Sequence, residues 1–144
     1  RDQDGDGFEL EFSWKPVSQL RLSSSYSLQD ATDAKTHAVV PDAPGQQFKL
    51  NADWEFYHNW FFNTQFDRVS DRHRAVTDKR AAIDDYTWVN FTLRAKDILP
   101  SLDASFAVRN ATNADAREPS SGRIAEDYPL ESRSLWLGLT YTFQ

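Results

Sequence analysis

Seven stretches of the chain alternate apolar and polar residues with a period of two, the pattern of a β-strand that has one apolar face. Phe8, Leu10, Phe12 and Trp14 alternate with Glu9, Glu11 and Ser13. Leu20, Leu22, Tyr26 and Leu28 alternate with Arg21, Ser23, Ser25 and Ser27, and Phe48, Leu50, Ala52, Trp54 and Phe56 with Lys49, Asn51, Asp53 and Glu55. Later stretches set Trp60, Phe62 and Phe66 against Asn63, Gln65 and Asp67, then Val89, Phe91 and Leu93 against Asn90, Thr92 and Arg94. The last two set Leu102, Ala104, Phe106 and Val108 against Asp103, Ser105 and Arg109, and Leu135, Leu137, Leu139, Tyr141 and Phe143 against Trp136, Gly138 and Thr140. The pattern predicts strands over residues 7–14, 19–28, 47–56, 60–67, 87–96, 102–109 and 133–143.

The connections sort by length. Residues 15–18, 57–59 and 97–101 are tight, whereas 29–47, 67–86 and 110–132 are long, polar and punctuated by Pro41, Pro44, Pro119 and Pro129. Strict short–long alternation is expected of an antiparallel up-and-down transmembrane β-barrel, with short periplasmic turns and longer extracellular loops. On that polarity Trp14, Trp54, Phe56, Tyr57, Trp60, Phe61, Tyr141 and Phe143 all fall toward the periplasmic rim. Trp14, Trp54, Tyr57, Trp60 and Tyr141 are the expected membrane-interface aromatics, since amphipathic rings favour the headgroup level. The alternative is a soluble sandwich with these rings as its core, which gives no reason for their gathering at one end or for sorted loops.

The polar face carries charge at mid-strand: Glu9, Glu11, Arg21, Lys49, Asp53, Glu55, Arg94 and Arg109. A dry core would penalise each unpaired ion by several kcal/mol. These eight are therefore expected to face a wet lumen or a plug, paired with one another across neighbouring strands. Single-chain bacterial barrels close with an even strand number, and open edges in lipid are costly. Seven strands are thus expected to be a fragment of a larger barrel, with its earlier strands and any targeting segment N-terminal to Arg1.

Composition narrows the chemistry. Mean hydropathy is -0.67, and no run approaches the roughly 18 apolar residues of a membrane helix, as alternating strands require. With no cysteine, thiol nucleophiles, disulfides and zinc knuckles are excluded, and a net charge of -6 argues against a nucleic-acid partner. Asp2-Gln-Asp-Gly-Asp-Gly7 imitates the start of a calcium loop, but Ser13 stands where the closing Glu belongs. His37, His58 and His73 have no metal spacing, and no nucleophile elbow, phosphate loop or HExxH motif is present. Neither a catalytic set, a metal site nor a cofactor is expected. Arg72, His73 and Arg74 form a basic patch on a long loop that would suit an anionic ligand or a lipopolysaccharide phosphate, the plainer reading being a solvated loop.

Several stretches carry a likeness to a known family: the Pro41-Asp-Ala-Pro-Gly-Gln-Gln-Phe48 segment, Val108-Arg-Asn110 followed by Arg117-Glu-Pro119, and Tyr128-Pro-Leu130 before Arg133-Ser-Leu-Trp136. Gly138, Tyr141 and Phe143 have the glycine and aromatic spacing of the final-strand signal read by the barrel assembly machinery. Over nearly its full length the chain resembles the C-terminal barrel portion of TonB-dependent outer-membrane receptors. It departs from their pattern at Ala111-Thr-Asn113, Glu131-Ser132 and Gln144. The resemblance implies a bacterial outer-membrane location, in contact with lipid and lipopolysaccharide, and a barrel of roughly 22 strands around an N-terminal plug. It also implies coupling to the TonB complex through the missing part, and import of a metal chelate such as a siderophore, or of another small-molecule nutrient. A passive porin or an outer-membrane enzyme would use the same strands.

Overall fold

The computed structural model describes residues 3–35, 38–40, 44–120 and 125–143. Arg1, Asp2, His37, residues 41–43 of the Pro41 segment and Gln144 lie outside the described residues. The strands are β1 (Gln3–Val17), β2 (Leu20–Asp33), β3 (Pro44–Tyr57), β4 (Trp60–Arg72), β5 (Tyr86–Leu99), β6 (Leu102–Arg109), β7 (Arg117–Glu118), β8 (Tyr128–Pro129) and β9 (Ser134–Tyr141). Seven of them form one antiparallel sheet in the order β1-β2-β3-β4-β5-β6-β9, while β7 and β8 pair as a small hairpin inside the last long connection. The architecture is an all-β, up-and-down sheet, with no helix among the described residues.

Register keeps the two faces separate from edge to edge. Leu10 pairs with Tyr26, Tyr26 with Phe48, Leu50 with Phe66, Phe66 with Val89, Leu93 with Phe106 and Phe106 with Leu137. One face is thereby apolar across all seven strands, and nothing among the described residues covers it: Phe8 is 57% exposed, Leu135 67% and Leu137 76%. Each such side chain left in water forgoes about 1.5–3 kcal/mol of burial. A sandwich would fold half the strands over the other half, but here all lie in one layer. The apolar face is built to meet an apolar surrounding outside the chain.

The apolar window also slides steadily across the sheet. Leu135 pairs with Val108, which pairs with Phe91, then Thr64, Ala52, Leu22 and finally Trp14. Leu135 opens the window of β9, whereas Trp14 closes that of β1, whose window opens at Phe8. A level apolar band therefore needs strands that shift by about one residue, roughly 3.3 Å, per interstrand step of roughly 4.8 Å. That corresponds to a tilt of about 35°, the low end of the range for membrane barrels.

All seven expected strands are present, but several run on past their expected ends. Gln3 to Gly7 continue β1 against Asp33 to Gln29 of β2, where both faces have become polar. The Asp4 to Gly7 run is therefore extended strand and not the turn of a calcium loop. The three tight hairpins share a device: register shifts fall at Trp14/Val17, Glu55/Tyr57 and Ala95/Leu99, each putting extra residues in the strand that enters the turn. Such bulges sharpen the local twist at the rim. Asn59 and Ser101 close their turns with φ of 64° and 63°; Asn tolerates this left-handed region, and Pro100 fixes the preceding φ.

Candidate functional site

Glu9, Glu11, Arg21, Lys49, Asp53, Glu55, Arg94 and Arg109 all stand on the face opposite the apolar one, where the alternation puts them. Their cross-strand contacts among the described residues are to amides and rings: Asp53 accepts from Asn63, Arg94 lies over Phe61 and Arg109 over Trp136. Arg21 lies directly opposite Asp53 and Lys49 opposite Asp67, yet among the described residues only Arg109 of these eight closes an ion pair, with Glu131 at 3.5 Å. Exposed side chains gain little from pairing in water and keep their rotamer freedom instead. The close polar contacts are amides: Asn63 Nδ2 donates to Asn51 Oδ1 at 2.8 Å and to Asp53 Oδ1 at 2.7 Å. Phe61 also lies on this polar face, with Arg94 and Lys96 at 5.4 and 5.3 Å from its ring centre, so it stands apart from the other rim aromatics. The polar face is an exposed, charge-bearing surface.

The other rim rings stay on or beside the apolar face. Trp54, Phe56 and Trp60 run in sequence with centroids 5.7 and 6.4 Å apart, and Tyr141 meets Phe143 edge-on at 4.9 Å. Trp14 and Tyr57 are also exposed at this end. Gly138 is on the polar face opposite Ser105, and a Cβ there would come within 2.6 Å of the Ser105 hydroxyl. Its lack of a side chain thus has a packing reason in the sheet itself.

At the end with long connections, the chain makes a packed cap. Arg72, Ile83, Asn110, Ala116 and Ser120 are buried there, while Ala95 is the one buried hydrophobic residue elsewhere among the described residues. Asn110 is wholly buried, with a φ of 45°. Its Nδ2 donates to the carbonyls of Ala114 and Glu131 at 2.9 and 3.0 Å, its Oδ1 accepts the Ala114 N–H at 2.9 Å, and its own N–H goes to Asn90 Oδ1 at 2.9 Å. One amide thus ties the start of the last long connection to its end and to β5.

The basic patch is absorbed by this cap. Arg72 donates to the carbonyls of Arg117 and Asp84 and lies 4.8 Å from the Tyr86 ring centre, its side chain almost fully buried. Arg74 grips Asp127 through both guanidinium nitrogens, at 2.6 and 2.5 Å, and donates to the Ala81 carbonyl at 2.7 Å. His73 alone of the three is half exposed, 3.0 Å from Asp71. Arg80 belongs to the same basic stretch, and sequence reading missed Asp78, Ser120 and Asp127, which complete the network with it. Arg80 bonds Asp78 at 2.6 Å and Ser120 Oγ at 3.0 Å, and the Ser120 N–H reaches Asp127 at 3.2 Å. The Arg80 guanidinium holds Asp78 down to about 2, and Arg74 above all holds Asp127 well below the usual carboxylate range. Beside them, the Ser134 hydroxyl and Arg109 lower Glu131. No cluster of three or more His, Asp or Glu suited to a metal occurs among the described residues.

Two solved structures share the sheet. The copper transporter OprC superposes with a TM-score of 0.78 over 98% of this chain and 24% of its own, at 15% sequence identity. The siderophore receptor PiuA from Acinetobacter baumannii superposes with a TM-score of 0.78 over 96% of this chain and 22% of its own, at 14% identity. What the chain shares with both is the fold, an antiparallel up-and-down sheet of barrel strands. The chain spans about a quarter of the length of these structures. No family model matches the sequence, and neither does any curated protein sequence.

Proposed function

We propose that this chain is the C-terminal strand set of a larger outer-membrane barrel that imports a scarce nutrient, a metal chelate or similar small molecule, with energy relayed from the inner membrane by TonB. The likeness to a copper transporter and a siderophore receptor over nearly the whole chain carries this reading. The open sheet supports the larger barrel: β1 and β9 each have only one neighbour, and an edge in lipid costs several kcal/mol per unpaired backbone group. Earlier strands would close those edges and a plug would meet the lumen charges. The rim aromatics Trp14, Trp54, Tyr57, Trp60 and Tyr141 would lie at the headgroups, with lipopolysaccharide above. Gly138, Tyr141 and Phe143 would present the last strand to the assembly machinery.

The test is uptake by cells that express the full polypeptide carrying this chain, with copper and ferric siderophores of the hydroxamate and catecholate classes as probes. The reading expects saturable uptake of one of them that collapses when an uncoupler is added. Swelling of reconstituted liposomes by small sugars, with no uptake that depends on the proton-motive force, would mark a passive porin instead.

A further inference from the structure

We propose that residues 73–85, 110–120 and 125–133, from two separate connections, form one cap that moves as a single body, with Asp127 as its linchpin. This concerns the mechanics of the outer end and holds whatever the barrel carries. Three observations support it. The Asp127 carboxylate gathers donors from three separate points of the chain: the Arg74 guanidinium at 2.6 and 2.5 Å, Arg80 at 3.3 Å and the Ser120 N–H at 3.2 Å. The Arg74 and Asp127 side chains are only 10% and 12% exposed, so water does not compete for the pair as it does at an open surface. Further ties bridge the same two connections: Arg72 to the carbonyls of Asp84 and Arg117, Arg80 to Ser120, and Tyr86 to Glu118 at 3.3 Å.

The cap has its own anchorage in the sheet. The Asn110 N–H on Asn90 and the Ala111 N–H on the Val89 carbonyl, at 2.9 and 2.8 Å, fix the root of one connection to β5. Arg72, at the end of β4, fixes the root of the other. Between those roots the ties run from loop to loop. In the connection that follows β2, the Val40 N–H donates to the Ala31 carbonyl at 2.8 Å and the Asp33 N–H to the Ala38 carbonyl at 2.9 Å. A force that moves either cap segment must therefore move both.

Hydrogen exchange on the full polypeptide in detergent micelles tests this, comparing wild type with Asp127→Asn, Arg74→Ala and the double variant. The cap account expects each single variant to speed exchange at least tenfold in both 73–85 and 114–120, with β1 to β6 unchanged, and the double variant to add little to either single. Acceleration confined to the mutated segment, or strictly additive effects, would overturn it. Should Asp127→Asn fail to assemble, Ser120→Pro removes one donor from the same carboxylate and is read in the same way: faster exchange in 73–85 supports the single cap, and none refutes it.

Discussion

Leu135, the first outward residue of β9, lies in the same paired row as Trp14, the last outward residue of β1. The row crosses the apolar band from one border to the other in six strand-to-strand steps, as tilted strands in a barrel wall require. Depth in the band should then decide the effect of a charge. Leu93→Arg, mid-band and outward, is expected to cost about 2–4 kcal/mol in lipid, and Thr92→Arg, its inward neighbour, less than about 1. Denaturant unfolding in lipid vesicles measures both, and equal costs would refute the assignment of faces.

Asn110 is the next test. Removing its amide by Asn110→Ala leaves the Ala114 and Glu131 carbonyls without their donor and keeps the left-handed backbone, a combined cost of about 2–4 kcal/mol. Asn110→Gly relieves the backbone and should cost less. Unfolding midpoints and exchange in 110–120 report the order, and Gly as costly as Ala would place the whole effect in the lost hydrogen bonds.

What the sequence disclosed follows from these two cases. Alternation follows from a sheet with one apolar and one polar face, so every segment inside the apolar band was legible, down to the face of each of the eight charges. Beyond the band both faces are polar and alternation stops, which is why Gln3 to Asp6 and Gln29 to Asp33 read as loop although their backbones pair. The cap was illegible for another reason. Arg74 and Asp127 are 53 residues apart, and nothing local marks an aspartate in a polar loop as the partner of a distant arginine. The same patch that suggests an anionic ligand is filled from within the chain. The charges of the polar face meet amides and rings on neighbouring strands, because facing positions do not oblige two exposed ions to touch.

Acid should release the cap late. Both carboxylates have folded values below their unfolded ones, so the stability they add is complete above about pH 4 and is lost as pH falls through the folded values, about 2 for Asp78 and lower for Asp127. Exchange in 73–85, corrected for intrinsic rate, is expected to stay flat from pH 8 to 5 and to rise only below about pH 3. A rise already between pH 8 and 5 would contradict it.

Gly138 separates packing from assembly. Ser105 Oγ would be 2.6 Å from an added Cβ, but Ser105 Cβ would be 4.0 Å away, so Ser105→Ala clears the space. Gly138→Ala in that background is expected to match wild-type stability within about 0.5 kcal/mol. If the double variant is stable once refolded yet accumulates poorly in the outer membrane, the glycine is read during assembly as well.

The most direct measurement is a cysteine scan of β3, which the absence of native cysteine from this chain makes clean. Each residue from Phe48 to Trp54 is replaced by Cys in turn in the membrane-embedded polypeptide and treated with a water-soluble maleimide or a lipid-dissolved one. The account predicts strict alternation: Lys49, Asn51 and Asp53 positions react from water, and Phe48, Leu50, Ala52 and Trp54 positions react from lipid. Reaction from water at both sets, or at neither, would contradict a barrel wall with lipid on one side and a wet lumen on the other.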